Sequence, residues 1–293
     1  MLELLLPPFV AGMIILFTHA YFGLHVIQRE VIFVDLALAQ IAALGATVAF
    51  MLGAAHGSAM GYVFSFGFTL LGALIFSITR MDDSPVPQEA LIGITFVVAS
   101  AAVILISSFS AEGTEHLRET MTGALIWVTW PTVAKVAVSY GAIGLFHYVM
   151  RRTMLAITFA PGRVDRLRTW DFVFYATFGV AITSSVQIAG VLMVFSVLVI
   201  PAVIAFFYTR GFGTALAIAW GSGTVAIVAG LAISFTFDVT TGPVLVVCFG
   251  AILLAALAFR GRYGVKVTDR SDRGLIVGML VEPRARIAAS EGR

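Results

Sequence analysis

The sequence predicts an all-α membrane protein, a polytopic bundle of about nine transmembrane helices. Three observations carry that expectation. Only 12% of the 293 residues are charged and 60% are hydrophobic, with a mean hydropathy of +1.01, whereas a soluble domain carries about 25% charged residues. Apolar runs of about 20 residues, the length that crosses a roughly 30 Å hydrocarbon core, recur along the chain. The cations gather in alternate connections between those runs. A β-barrel would show alternating segments of about ten residues instead.

The expected spans lie near residues 5–27, 31–53, 59–79, 89–110, 132–150, 171–187, 190–208, 212–235 and 242–259. No Lys or Arg precedes the first run, so it reads as a span and not as a cleaved signal peptide. With alternating spans, Arg29, Arg80, Arg151, Arg152, Arg163, Arg166, Arg168, Arg210, Arg260, Arg262 and Lys266 fall on one side. The positive-inside rule makes that side cytoplasmic. The amino terminus is then outside and the carboxyl terminus inside, which requires an odd number of spans.

Residues 111–131 begin too polar to span (Glu112, Glu115, His116, Arg118, Glu119) and turn apolar over 123–130. A short surface or partly re-entrant helix is expected there, with Trp127 and Trp130 at the interface. The longest apolar stretch, residues 171–209, is interrupted by Ser184, Ser185, Gln187, Gly190 and Pro201. It is long enough to cross twice, with a polar hinge over 184–190. Gly141, Gly144, Gly221, Gly223 and the Ala-rich stretch 37–49 read as close helix packing. Residues 1–260 form the transmembrane domain and 261–293 a charged cytoplasmic tail.

Several function classes drop out. There is no GxxxxGK[ST] phosphate loop, no HExxH and no visible Ser/His/Asp arrangement, and no basic run suggests nucleic acid. The single cysteine, Cys248, excludes an intrachain disulfide. A carrier driven by protons or sodium usually buries several ionisable groups at mid-membrane, and here only Asp35, His19 and His25 stand out. An energy source on another chain is the simpler explanation.

Four stretches resemble the permease subunits of bacterial zinc, manganese and iron-uptake ABC transporters. They are PPFVAGMIILFTHAYFGLHVIQREVIFVDLALAQIAALG, EALIGITFVVASAAVILISS, VQIAGVLMVFSVLVIPAVIAFFYTRG and SFTFDVTTGPVLVVCFGAILLAAL. Together they cover most of residues 5–260. The resemblance implies a helical fold similar to the vitamin B12 (type II) importers, set in the bacterial inner membrane. It also implies a homodimer, two ATP-binding cassette subunits that carry the ATP, an extracytoplasmic metal-binding protein, and a divalent metal as cargo. No bound cofactor and no catalytic residue are expected on this chain.

The family motif G-D-x-L-[SA]-H supplies an Asp and a His as the metal ligands. Aligned on Gly45, this chain has Leu36 and Gln40 at those positions; a shift of one residue keeps Asp35 and places Ala39 at the His. Asp35 lies roughly 7 Å inside the second span, where it can pair with Arg29 or act as a pathway ligand. Asp35, Gln40 and then His19 are the candidate pathway residues, with Asp35 the candidate for metal. The family loop F-D-P-x-x-A-R-A-L-G is matched only at Phe159 and Pro161. Phe159, Pro161, Arg163, Asp165, Arg166 and Arg168 are the candidate ATPase-coupling segment, in the loop over 159–170 that precedes the sixth span. A proton-coupled carrier and a non-transporting scaffold are the alternatives to the importer.

Overall fold

The structure, a computed structural model, describes residues 2–55, 58–80, 86–109 and 125–263. The helices are α1 (Leu2–Gln28), α2 (Val34–Met51), α3 (Ala59–Ile78), α4 (Gln88–Ser107), α5 (Trp130–Val149), α6 (Arg151–Phe159), α7 (Leu167–Ala189), α8 (Val191–Tyr208), α9 (Phe212–Phe237) and α10 (Thr241–Tyr263). Single 3-10 turns occupy Leu125–Trp127 and Pro161–Arg163. No strand occurs among the described residues. Among the described residues eight helices are long and apolar enough to cross a membrane, and the α5–α6 pair, bent by 75°, brings the number to nine if it counts as one broken span. The expected fold class and span count therefore hold. The tail beyond residue 263 and the polar part of the 111–131 segment lie outside the described residues.

Named contacts establish the direction of each helix. His19 and Arg29 of α1 meet Ser185 and Asp171 of α7, so these helices run antiparallel. Thr69 and Arg80 meet Thr183 and Asp171, so the α3 end of the chain also runs against α7. Tyr140 and His147 of α5 meet Ser184 and Thr177, again antiparallel. Leu16 and Phe17 of α1 lie against Gly223 and Trp220 of α9, and Ser234 at the end of α9 meets Thr241 at the start of α10. Each contact agrees with alternating spans. Arg29, Arg80, Arg151, Arg152, Arg163, Arg166, Arg168, Arg210 and Arg260 consequently gather at one end of the bundle.

α8, in contact with α1, α9 and α10, is central to one half of the bundle, and α2 packs on α3 and α4 in the other. Close approach makes glycine necessary at two crossings. A Cβ at Gly23 would collide with the Leu198 carbonyl, and one at Gly45 would stand 2.6 Å from the Phe64 carbonyl oxygen. The turn between α7 and α8 needs a third: Gly190 has φ 79°, so the chain reverses there within a single residue. The expected hinge over 184–190 thus contracts to its last residue, because Ser184 donates its hydroxyl to the Val180 carbonyl and the chain stays helical to Ala189.

A short helix that the sequence reading had not placed, α6 at Arg151–Phe159, precedes the 159–170 loop. Met154, Ile157 and Thr158 turn one face of it inward while Arg151 and Arg152 stay exposed. Pro161 and Gly162 then end it, and Arg168 already belongs to the first turn of α7. We expect Gly23→Val to lower stability by about 1–3 kcal/mol through overpacking, and Gly67→Val, in open space, to change it by about 0.5 kcal/mol or less. Thermal unfolding in detergent measures both.

Candidate functional site

Tyr21, His25 and Arg29 are spaced four residues apart and share one stripe of α1. That stripe meets polar groups of α5, α6 and α7. The Tyr21 hydroxyl lies 3.1 Å from His147 Nδ1, and His147 Nε2 lies 2.8 Å from Thr177 Oγ1. His25 Nδ1 is 2.7 Å from Thr158 Oγ1, which also accepts from Arg29 Nε at 3.1 Å. Below this, Arg29 Nη1 donates to Asp171 Oδ1 at 3.0 Å, with its guanidinium 4.0 Å from the centre of the Phe174 ring. Arg80 Nη1 donates to both Asp171 oxygens, at 2.9 and 2.8 Å.

Asp171 is fully buried, and two arginines face it within 3.0 Å. Removing one partner of such a group typically costs about 3–5 kcal/mol. The knot joins α1, the end of α3, α6 and α7 at the arginine-rich end. The carboxylate is engaged by both arginines and is not available as a base or ligand. Reading the sequence singled out neither Asp171 nor Thr158. The four-residue spacing of Tyr21, His25 and Arg29 is the one sequence signal that could have found the knot.

Asp35 does not pair with Arg29. The Arg29 amide continues the α1 ladder to the His25 carbonyl, which keeps its side chain on the face toward α7. Glu30 then takes φ 58°, and α2 leaves in another direction. Asp35 is 2% exposed, and its Oδ1 has no hydrogen-bond partner. Gln40 is 3% exposed and lies about 140° further around α2, so the two do not face one axis. His19 is buried with both ring nitrogens engaged. Nδ1 donates to the Ile15 carbonyl at 2.9 Å, which leaves Nε2 to accept from Ser185 Oγ at 2.9 Å. Among the described residues no three His, Cys, Asp or Glu side chains converge as a metal site.

The candidate coupling residues lie together at the arginine-rich end. Phe159 closes α6, with its ring centroid 6.1 Å from Phe212 and 6.5 Å from His25. Pro161 opens the 3-10 turn, and Arg163, Asp165, Arg166 and Arg168 are exposed. Arg166 takes φ 55° as the cap of α7. The segment therefore has an anchored start and a charged exposed surface.

Known proteins share this architecture. The chain is 25% identical over 218 residues to the manganese transport system membrane protein MntB of Synechocystis sp., covering 72% of this chain and 69% of that protein. It is 27% identical over 184 residues to the chelated iron transport system membrane protein YfeD of Yersinia pestis, covering 61% of each. Its fold matches PsaBC from Streptococcus pneumoniae in complex with Fab, with a TM-score of 0.71 at 19% identity, over 87% of this chain and 91% of that one. The profile of the ABC 3 transport family matches residues 1–260, nearly the whole of the described bundle, and the chain belongs to that family.

Proposed function

We propose that this chain is the membrane-spanning permease of an ABC importer for a divalent transition metal, manganese or iron before zinc. It works as a dimer with a separate ATP-binding cassette subunit and an extracytoplasmic metal-binding protein. The observation that carries the metal reading is Asp35: a buried carboxylate with one oxygen that nothing among the described residues satisfies. Such a group suits a hard or borderline cation, and the manganese and iron transport names of the relatives agree with that choice.

An outward face of α5 supports the dimer. Gly141 and Gly144 are exposed with nothing within 4 Å, and Lys135 is exposed on the same helix. Small residues allow close helix contact, and a lysine within a span is costly against lipid. Both suit a seam between two copies that borders a water-filled path. The segment from Phe159 to Arg168 receives the ATPase at the cytoplasmic end, and closure of the ATPase pair moves it as a rigid body. The path then exchanges its open side.

Uptake of manganese, iron(II) and zinc into proteoliposomes, with and without the ATPase subunit, tests this reading. ATP-dependent uptake is expected, with Asp35→Asn lowering it by about 10-fold or more while the complex still assembles. Uptake that needs no ATPase would make the chain a secondary carrier. No uptake by an assembled complex would leave a scaffold. For the topology, a thiol-specific reagent that cannot cross the membrane should label Arg168→Cys, in a Cys248→Ser background, only from the cytoplasmic side. Labelling in intact cells would invert the assigned orientation. Joint reversal of Arg163 and Arg166 to Glu should weaken ATPase binding in pull-down by about tenfold.

A further inference from the structure

α6 and the segment that follows it are held in two ways at one point. Thr158, the residue before Phe159, accepts from Arg29 Nε and lies within hydrogen-bond distance of His25 Nδ1. Arg29 continues to Asp171, and Arg80 bridges Asp171 to the Ile157 carbonyl of α6 at 3.4 Å. Phe159 itself stands among Phe212 and His25, and Phe212 in turn lies 6.0 Å from the Tyr21 ring. Residues from α1, α3, α6, α7 and α9 therefore meet around a single turn of helix. Met154 and Ile157, both fully buried, close the apolar side of that turn.

Geometry of this kind has a mechanical consequence. Nothing on the inward face of α6 can slide past α1, α3 or α7 without separating a buried ion pair or leaving a buried donor unmet. The exposed part, Arg163 to Arg168, lies a few residues further on and lacks such ties. A push on the exposed part reaches the bundle through Thr158 and Asp171. We infer that the His25–Thr158–Arg29–Asp171–Arg80 knot is a rigid transmission joint. Thr158 and Asp171 are positioning residues that make α1, the end of α3 and α7 follow the coupling segment as one body. The inference rests on the importer reading for what the motion does, but not for whether the joint is rigid.

Two measurements test it. In proteoliposomes containing the full complex, Thr158→Val should assemble and hydrolyse ATP within about twofold of wild type, while ions moved per ATP fall by about tenfold or more. Thr158→Ser, which keeps the hydroxyl, should restore the ratio. Valine is close to threonine in shape, so a role confined to filling space would leave Thr158→Val unaffected. An unchanged ratio in Thr158→Val, an equal fall in Thr158→Ser, or loss of hydrolysis in step with lost assembly overturns the proposal. The second measurement uses the permease alone. Spin labels at Ile78→Cys of α3 and Arg152→Cys of α6, in a Cys248→Ser background, should give one narrow distance distribution that broadens at least about twofold in Asp171→Asn. A distribution already broad in the parent protein, or unchanged in Asp171→Asn, ends the idea of a rigid joint. Because this readout needs neither ion nor ATPase, a complex that moves no metal would remove the importer reading and leave the joint to be judged on the label distances.

Discussion

One buried carboxylate holds the arginine-rich end of this bundle together. Asp171 has no access to water, and Arg29 and Arg80 reach it from α1 and from the end of α3. Apolar packing gives little directional preference between helices in lipid, because lipid tails are as apolar as leucine side chains. Interactions with a defined geometry must therefore set the register. The Asp171 pairs set it for three spans, and the Thr158 hydroxyl extends the arrangement to α6. Further along the same helices, within their interior turns, the three-way neighbourhood is kept by smaller groups: Thr69 beside Thr183, and Ser185 beside His19.

Much of the architecture was legible in the sequence, and the reason is elementary. Span length and hydropathy are local properties, so nine crossings and the side taken by each arginine follow from counting. Helix partners are not local. Arg29 and Asp35 are six positions apart and looked like a pair, yet the left-handed turn at Glu30 sends them to different neighbours. The true partner of Arg29 is 142 residues away, where it reads as the acid that opens an apolar run. The short helix α6 was not read from the sequence because its arginines mask an inward face of only three residues, Met154, Ile157 and Thr158.

The candidate site divides in the same way. Asp35 was visible as a lone acid in a span, and the structure adds that one of its oxygens is buried without a partner. His19 was visible too, but its ring belongs to helix packing once Ile15 and Ser185 are placed beside it. The charged surface from Arg163 to Arg168 could be read from composition alone. What anchors it could not, because the anchors are a threonine and a phenylalanine whose meaning comes entirely from α1 and α9.

The separation of the ion-pair partners along the chain also bears on how the protein is made. Arg29 and Arg80 leave the ribosome well before Asp171, and 91 residues divide Arg80 from it. At about 5–20 residues per second, the first three helices wait several seconds for their counter-charge. During that interval neither guanidinium has its buried counter-charge. The amino-terminal third of the bundle is thus made well before the residue that locks it, which arrives with the sixth crossing.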